Sequence, residues 1–389
     1  MSKLGVVGAL WLVVAPAVTY ANEAALTAGI VSRLATSAAA TREAEERAPE
    51  FVPFGPLSIG GVEYFTYRFE GHVHTAYSPD AKHRVGEVLS AAERAGLDAL
   101  VITDHGGSQA LRDFADYHGK LVPFVGREIG GQFGHALFWN VVEDAFHPPS
   151  TTTLSQRARF AHEHSGLLIF AHPGWWIDGN GQDPMQWMTP QAMRRGGIAG
   201  DVDAIELWNG VYRTPLPRLI KAWVKLLDAG VYVPIVGNSD FHSFSVHQLG
   251  HAHNLAFCER PEVASCLWSA VREGRLMVTD GPAAALSVNG KLPGSVVDPG
   301  GAPLAVSVEA LAPEGGTLRV YLGHDVVQTV KLEPGVRSTS SWELPSPSAD
   351  SFVRIDIERP QPHSLAQTPV SLLSNPVLID VGEQRSSWR

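Results

Sequence analysis

Between about residues 62 and 280, short apolar runs alternate with stretches of helical periodicity, and this rhythm is the strongest constraint on the fold. Residues 97–103 form a continuous apolar run, which is typical of a strand buried in a parallel sheet. The segment before this run carries apolar side chains on one helical face over residues 85–92, and Gly96 is placed to end that helix. Similar apolar runs recur at residues 121–125, 167–171, 204–208 and 232–236. Strands that alternate with helices predict the α/β class, as a βα barrel or an open sheet.

The first residues of the chain differ in style from this central region. Lys3 and the apolar run over residues 4–18 predict an export signal that is cleaved after Ala21. A single membrane anchor is the alternative, but the run is shorter than the roughly 20 residues of a spanning helix, and Pro16 interrupts it. We therefore predict an exported protein, periplasmic or extracellular, with no stable membrane span after cleavage.

The C-terminal part of the chain also has its own pattern. After Gly281 and Pro282, short alternating segments such as residues 304–308 and 318–322 are separated by Gly, Pro and Ser, which predicts a small all-β sandwich. Residues 22–48, before the α/β region, have the spacing of one amphipathic helix. We expect four parts: a signal peptide (1–21), an N-terminal helix and linker (22–60), an α/β barrel (61–284) and a β-sandwich (285–389).

Charge and cysteine content exclude some classes of function. The net charge of −10 argues against binding to duplex nucleic acid, but a small anionic substrate stays compatible if a metal cluster supplies positive charge. Two cysteines, Cys258 and Cys266, are too few for a cysteine-ligated zinc site. We interpret them as two buried small side chains, and a disulfide in an exported protein is the alternative.

Residues of the types that bind metals follow the ends of five predicted strands. His72 and His74 come after the first strand, and their spacing in extended chain points both imidazoles to one face. The carboxyl ends of barrel strands meet at one mouth, so we expect these side chains to converge. The other strand-end candidates are Asp104, His105, Glu128, His135, His172, Asp240 and His242. Burying so many ionisable groups without a cation would be costly, so the set predicts a multinuclear metal site.

Four motifs in this order carry a family resemblance. They are Gly71-His72-Val73-His74-Thr75 with Ser78 and Asp80, Ile102-Thr103-Asp104-His105, Ala171-His172-Pro173, and Asn238-Ser239-Asp240-Phe241-His242. Together they resemble the PHP (polymerase and histidinol phosphatase) family. Three tail motifs resemble its CehA/McbA (carbaryl hydrolase-like) branch: Val278-Thr279-Asp280-Gly281-Pro282, Val288-Asn289-Gly290 and Leu373-Ser374-Asn375-Pro376-Val377. The resemblance implies a distorted (β/α)7 barrel followed by a small β domain.

The resemblance also implies two or three divalent metal ions, of manganese, zinc or iron, and a set of ligands. The first ion would be held by His72, His74, Glu128 and Asp240. Glu128 would bridge to a second ion held by His135 and His172. A third ion would be held by Asp80, His105 and His242. Asp104 would orient a ligand imidazole.

Further candidates lie beside the ligand motifs. Arg127 and Arg213 are predicted to act on a substrate phosphate, because a guanidinium binds it with two parallel hydrogen bonds, although each could also be a surface charge. Trp175, with the neighbouring Trp176, and Asn209 are candidates to line the substrate pocket, and core packing is the alternative for the tryptophans. Lys82 and Arg84 are further candidate cations, and His162, His164, His247, His251 and His253 match no ligand position of the family.

These features leave three functions open. The first is a metal-dependent phosphoesterase that attacks a small phosphomonoester or phosphodiester with a hydroxide held between two cations. The second is a hydrolase of carboxylic esters or carbamates, which the tail motifs favour. The third is a non-catalytic metal- or glycan-binding protein, which the complete set of ligands disfavours. The expected partner in the first two is a small-molecule substrate.

Overall fold

The computed structural model describes residues 54–105, 107–131, 133–142, 152–173, 184–195, 198–210, 216–244, 249–361 and 368–382. The predicted signal peptide and the predicted helix over residues 22–48 lie outside these ranges, as do Trp175, Trp176 and Arg213. None of the helices in the described ranges has both the length and the apolar character needed to cross a membrane.

The strands follow one another along the chain with helices between several of them. They are β1 (Leu57–Ile59), β2 (Val62–Val73), β3 (Ala99–Ile102), β4 (Val122–Gly131), β5 (Gly134–Trp139), β6 (Leu167–Phe170), β7 (Ala204–Asn209), β8 (Ile235–Asn238), β9 (His253–Cys258), β10 (Leu276–Thr279), β11 (Ala283–Val288), β12 (Val296–Val297), β13 (Leu304–Leu311), β14 (Gly316–Leu322), β15 (Asp325–Leu332), β16 (Arg337–Leu344), β17 (Ser351–Glu358), β18 (Val370–Ser374) and β19 (Val377–Ile379). The helices are α1 (Val85–Arg94), α2 (Leu154–Glu163), α3 (Pro190–Arg195), α4 (Ile198–Asp201), α5 (Leu216–Asp228) and α6 (Val263–Glu273), with short 3-10 helices at Gln109–Asp116 and Pro184–Trp187.

Helix α1 forms where the sequence pattern predicts it. Its predicted apolar face is buried along the whole helix, at Val85, Val88, Leu89 and Ala92. At the N-terminus, the Glu87 carboxylate accepts a hydrogen bond from the Arg84 backbone N–H at 2.9 Å, which satisfies a donor that the helix leaves free. Gly96 follows the helix with a φ of +79°, a left-handed conformation that glycine adopts without strain, and the predicted end of the helix is confirmed.

One large sheet curls around an apolar core that includes Phe69, Leu168 and Ile205. Its path through the central region is β10-β9-β2-β3-β4-β5-β6-β7-β8. Neighbouring strands are parallel within β2–β3–β4 and within β6–β7–β8, whereas β5 is antiparallel to β4 and β6 and β9 is antiparallel to β2 and β10. The α/β class is therefore confirmed as a mixed sheet. Strands β5 and β9 are absent from the predicted rhythm, and the (β/α)7 count stays a prediction.

The sheet curls so that the carboxyl ends of β8 and β2 lie side by side. The backbone N–H of His74 donates to the carbonyl of Phe241 at 2.8 Å, just after the two strands end. Val73 and Phe241 form an isolated parallel bridge at the same place. The loops that carry the histidine motifs of β2 and β8 are thus joined through their backbones.

Asparagine side chains complete the other edge of β8. The Asn375 amide accepts a hydrogen bond from the Ile235 N–H at 2.9 Å and donates one to the Ile235 carbonyl at 3.0 Å. The Asn254 amide does the same for Gly237, at 2.9 and 2.8 Å. Each amide therefore pairs with β8 as a neighbouring strand would, because it offers one acceptor and a donor side by side. Asn254 belongs to β9, and Asn375 follows β18.

The tail packs on the back of the same sheet. Strand β18 pairs with β10 in antiparallel register, so the large sheet continues into β17 and β14. Strands β11, β13 and β16 form a second, three-stranded sheet. A second apolar core lies between these layers and includes Leu255, Phe257 and Met277 from β9 and β10. The region after Pro282 has the short alternating strands that the sequence predicts, and the domain boundary at residue 284 stays a prediction.

The two cysteines are bonded to each other. Cys258 at the end of β9 and Cys266 on α6 form a disulfide, with a Cα–Cα distance of 5.7 Å. The interpretation of these residues as two separate buried thiols is therefore wrong. Eight positions separate them in sequence, and helix α6 folds back over β9 so that the two side chains meet.

Candidate metal centre

The structure brings the nine predicted ligand residues together at the carboxyl end of the curled sheet. They form three overlapping groups, and in each group the candidate ligand atoms lie within 4.8 Å of one another. Group A is His72, His74, Glu128 and Asp240; group B is Glu128, His135 and His172; group C is His74, Asp80, His105 and His242. The groups share Glu128 and His74, so they form one continuous cluster.

Group A is buried and compact. The Nε2 atom of His72 lies 3.2 Å from Glu128 Oε2 and 3.1 Å from Asp240 Oδ1. The Nε2 atom of His74 lies 3.2 and 3.4 Å from the same two oxygens. His72 and His74 are 0% exposed, which leaves these four atoms facing one another rather than solvent.

Glu128 connects groups A and B through its two carboxylate oxygens. While Oε2 faces His72 and His74, Oε1 lies 2.6 Å from His135 Nδ1 and 3.0 Å from His172 Nε2. Strand β4 supplies Glu128, and the antiparallel hairpin to β5 returns His135 beside it. A carboxylate with imidazoles on each oxygen has the arrangement of a ligand that bridges two cations.

Group C is more open to solvent than group A. Asp80 Oδ2 lies 3.4 Å from His105 Nε2 and 3.3 Å from His242 Nε2. The side chains of Asp80, His105 and His242 are 49%, 26% and 18% exposed, respectively. Any ion held here would exchange with solvent more readily than one held by group A.

Two of the candidate ligands have a left-handed backbone. His172 has a φ of +26° and Asp240 a φ of +53°, and each is the second residue after a buried strand. Side chains other than glycine rarely adopt this conformation, and residues that do so cluster at functional sites. The conformation turns each side chain into the cluster instead of along the strand.

A buried carboxylate fixes the orientation of His72. Glu206 Oε1 lies 2.9 Å from His72 Nδ1, and the carboxylate also accepts hydrogen bonds from the Asn238 amide, the Asn209 amide and the His172 N–H. Because the carboxylate only accepts, His72 Nδ1 carries the proton and Nε2 presents its lone pair to group A. Four donors already occupy the Glu206 oxygens, so we assign it the role of orienting ligands. With His72 and His172 it also forms a fourth group, group D, whose candidate ligand atoms lie within 4.8 Å of one another.

His74 is oriented through a serine. The Ser78 hydroxyl donates to Asp104 Oδ1 at 2.8 Å, so it can only accept from His74 Nδ1, which lies 3.0 Å away. His74 Nδ1 is therefore protonated, and its Nε2 lone pair faces Glu128 and Asp240. Asp104 is predicted to orient an imidazole itself, but its carboxylate contacts Thr75 and Ser78 and acts on His74 only through the serine.

Glu206 is a functional residue that the sequence motifs do not indicate. It lies inside the apolar run over residues 204–208, which we interpret from sequence only as a buried strand. A charged residue in the middle of such a run is a signal in itself, because a buried carboxylate needs partners to offset its desolvation. Glu206 is 0% exposed and finds those partners in the ligand motifs.

The carboxylates of the cluster favour positive charge on the groups around them. Burial is the largest influence on His72 and opposes its protonation, but Asp240, Glu206 and Glu128 outweigh it and hold the pKa of His72 well above its usual value. The same balance, with Asp240 and Glu128 as partners, raises the pKa of His74 to about 9. Despite burial, neighbouring histidines hold the pKa of Glu128 and of Asp240 below the usual range.

The donor set fits divalent cations. Within the described part of the chain, the buried Nε2 atoms of His72 and His74 make no hydrogen bond, although carboxylate oxygens lie within 3.4 Å. A tetrahedral ion with bonds of about 2.1 Å separates its ligands by about 3.4 Å, close to the spacing in groups A and C. Imidazole and carboxylate ligands are compatible with zinc, manganese and iron.

Arg127 and Asn209, which we predict to act on the substrate, do not line the open side of the cluster. Arg127 pairs across the β4–β5 hairpin with Phe138, whose ring lies 6.3 Å from that of Phe160 on α2. Successive side chains of a strand alternate, so Arg127 lies on the face opposite Glu128, toward the helices, and its predicted catalytic position is not supported. Asn209 is buried and donates to Asp240 Oδ2 at 3.2 Å, so it positions a candidate ligand instead of lining the pocket.

The other histidines occupy structural positions. Among the described residues, neither groups A, B and C nor group D includes His162, His164, His251 or His253. His253 Nδ1 bonds the Gly250 carbonyl at 2.7 Å, and His162 Nε2 lies 2.8 Å from Asp203. His247 lies outside the described residues.

Fold and donor set together define a class: an α/β protein with a candidate multinuclear metal centre at the mouth of a curled sheet. Residues 70–173 match the family model of the PHP domain. This segment contains all the candidate ligands except Asp240 and His242. No curated protein matches the chain. The CehA/McbA branch stays a prediction.

Several solved structures are similar to this chain. A two-domain protein from Bacteroides vulgatus that contains a predicted PHP-like metal-dependent phosphoesterase is 15% identical with a TM-score of 0.48, over 87% of this chain and 99% of that one. A candidate metal-dependent phosphoesterase from Bifidobacterium adolescentis is 14% identical with a TM-score of 0.36, over 47% and 90%. An amidohydrolase from Chromobacterium violaceum, with bound sulfate and no metal, is 15% identical with a TM-score of 0.37, over 54% and 96%.

Proposed function

We propose that this protein is a metal-dependent hydrolase that cleaves phosphoesters of small molecules. The observation that carries the proposal is the position of Glu128, whose two oxygens face two different groups of imidazoles. A carboxylate in this position would hold two cations close together, which is the arrangement used for hydrolytic displacement at phosphorus. When bound, such ions supply an activated water and neutralise the charge that develops on the substrate oxygens.

The chain's own residues prepare the centre for that chemistry. Glu206 and Ser78 hold the protons of His72 and His74 on the Nδ1 atoms, so both Nε2 lone pairs are available without rearrangement. Asn209 restrains Asp240 in the same way. Burial of group A excludes bulk solvent from one side of the cluster, so a reacting water would enter from the side of the more exposed His105, His135 and His242.

The charge of the donor set favours a phosphate over a neutral ester. The candidate ligands comprise six imidazoles and only three carboxylates, those of Asp80, Glu128 and Asp240. With neutral imidazoles, three divalent ions would leave a net formal charge of roughly +3 at the mouth, and two ions with Glu128 and Asp240 roughly +2. An anionic substrate would be attracted and a neutral carbamate or carboxylic ester would not. Hydrolysis of such esters is the second candidate, and it rests on the tail motifs.

We also propose that the protein is exported. The disulfide between Cys258 and Cys266 supports this location, because disulfides persist in the periplasm and outside the cell and are rare in the reducing cytoplasm. The predicted signal peptide over residues 1–21 is in accord with it. N-terminal sequencing of the secreted protein tests both points, and a mature chain that begins at Asn22 is the expected result.

The activity is tested with the mature protein loaded with manganese or zinc. Nitrophenyl phosphate, bis-nitrophenyl phosphate, a naphthyl ester and a naphthyl carbamate are assayed side by side. His72→Ala is the inactive reference, and His162→Ala is the matched control because His162 pairs with Asp203 away from the cluster. We expect metal-dependent turnover of the phosphates in the wild type and the control only. Turnover of the ester or carbamate alone would favour the second candidate, and no turnover with metal bound would favour a binding protein.

A further inference from the structure

Arg157 is a buried cation outside the cluster of candidate ligands. It lies on α2 and is 1% exposed. Its guanidinium donates from Nη1 to the Ile129 carbonyl at 3.0 Å and from Nη2 to the Gly130 carbonyl at 2.9 Å. Burial lowers the pKa of Arg157 to about 10. A buried guanidinium normally pairs with a carboxylate, but the two Nη atoms of Arg157 donate to consecutive backbone carbonyls of one hairpin.

That hairpin carries two candidate ligands of group B. Glu128 lies on β4 one residue before Ile129, and His135 lies on β5 directly across from Gly130. The His135 ring packs on Gly130, where an added Cβ would lie 3.3 Å from its Cδ2 atom. The backbone that Arg157 binds therefore carries both residues of the Glu128–His135 pair, whose Oε1 and Nδ1 atoms lie 2.6 Å apart.

The sequence of the hairpin explains why it needs an outside restraint. Gly130, Gly131 and Gly134 lie at its tip, and glycine loses more conformational freedom on folding than any other residue. Any Cβ at Gly131 would collide with the Arg157 guanidinium, so the glycine provides the space that the arginine fills. The hydrogen bonds to two successive carbonyls restrain the backbone on the side away from the ligands.

We propose that Arg157 is a positioning residue for group B: it clamps the glycine-rich hairpin and so sets the spacing of Glu128 and His135. The inference rests on the proposed metal centre, and it concerns only the half of that centre built on the hairpin. Group A shares Glu128 with group B, but its other three ligands come from β2 and from the loops after β2 and β8, so beyond Glu128 it does not depend on the hairpin. Loss of the clamp should therefore weaken one class of metal site and spare the other.

The test is the number and affinity of metal ions bound, independent of turnover. Arg157→Met keeps the length of the side chain and removes both hydrogen bonds, and Arg157→Lys keeps a charge that can bind only one carbonyl well. Arg272→Met is the matched control, because Arg272 also donates to a backbone carbonyl, that of Gly166, at 2.8 Å. Zinc and manganese are titrated against a chromogenic chelator, with elemental analysis of the loaded proteins.

We expect one equivalent of metal to bind about 10- to 100-fold more weakly in Arg157→Met, with the remaining equivalents unchanged. Arg157→Lys should fall between the wild type and Arg157→Met, and Arg272→Met should match the wild type. Millimolar methylguanidinium should restore part of the lost affinity in Arg157→Ala, which leaves a cavity of suitable shape. This rescue also tests the idea if Arg157→Met folds poorly.

Other outcomes separate the inference from the proposed function. Wild-type titration curves in Arg157→Met, or an equal loss at every site without rescue, would overturn the positioning role and leave the hydrolase proposal standing. A wild-type protein that binds no divalent metal would overturn the metal centre itself.

Discussion

Replacing Glu206 with glutamine tests how the metal centre is organised. The carboxylate accepts four hydrogen bonds: from His72 Nδ1 at 2.9 Å, the Asn238 amide at 2.7 Å, the His172 N–H at 3.0 Å and the Asn209 amide at 3.0 Å. Glutamine has the same size but only one acceptor oxygen. Its NH2 group must face two donors that it cannot satisfy.

The cost of this change has two parts. At least two buried donors lose their acceptor, and each such loss costs about 1–3 kcal/mol, so the free energy of unfolding should fall by about 2–6 kcal/mol before any relaxation. The hydrogen bond that fixes the His72 tautomer also weakens, because its acceptor is no longer a charged carboxylate. Residues that orient ligands in this way typically contribute a factor of 10–100 to metal affinity, which corresponds to about 1.4–2.7 kcal/mol.

The assay compares Glu206→Gln with Glu343→Gln, an exposed glutamate on β16 whose replacement makes the same change in charge. Metal affinity is measured by chelator competition, and stability by urea unfolding of the metal-free protein. We expect both quantities to fall in Glu206→Gln and neither in the control. If Glu206→Gln binds metal as tightly as the wild type, our assignment of the His72 tautomer is wrong.

Three further predictions address the exposed ligands, the β8 edge and the pH dependence of stability. Asp80→Asn should weaken only the most weakly bound metal equivalent, because group C is the exposed part of the cluster, and stepwise dialysis against chelator with elemental analysis measures this. Asn375→Leu should lower the free energy of unfolding by about 2–6 kcal/mol in urea titrations, because the N–H and carbonyl of Ile235 lose their partners; a loss below 1 kcal/mol would contradict the bridging role. Burial, together with the charge of Arg68, lowers the pKa of His253 in the folded protein to about 3. Below about pH 6.5, His253 is therefore protonated in the unfolded chain but stays neutral in the folded protein. This residue's stability contribution is therefore full above pH 6.5 and is lost as pH falls toward 3, by up to about 1.4 kcal/mol per pH unit, and His253→Gln should show a shallower slope than the wild type between pH 6 and 4.

The sequence predicts those parts of the molecule in which a local pattern decides the structure. Helix α1 and the buried strand β3 follow directly from the spacing of apolar residues and from Gly96. Most of the candidate ligands also converge as predicted, because they come at or just past the ends of parallel strands, whereas His135 reaches the cluster through the antiparallel β4–β5 hairpin. Position along a strand is thus enough to place them at one edge of the sheet.

Long-range pairing accounts for most of what the sequence does not predict. Strand β5 departs from the predicted alternation of strand and helix because it forms an antiparallel hairpin with β4, and β9 is likewise antiparallel to both of its neighbours, β2 and β10. The indirect role of Asp104 and the part played by Glu206 depend on which side chains meet across the sheet. The disulfide likewise depends on how α6 folds over β9, since the spacing of the two cysteines allows either state.

The hydrogen bonds between the Asn375 side chain and the backbone of β8 limit where the chain can be truncated. A shortened gene that stops at residue 284 would keep every candidate ligand but would lose Asn375, which supplies both partners of Ile235. It would also uncover the face of β9 and β10 that Leu255, Phe257 and Met277 turn toward the tail. The product would carry an open strand edge beside a bare apolar surface, a combination that favours aggregation. Efforts to obtain the ligand-bearing half as a minimal protein should therefore keep the chain through residue 379.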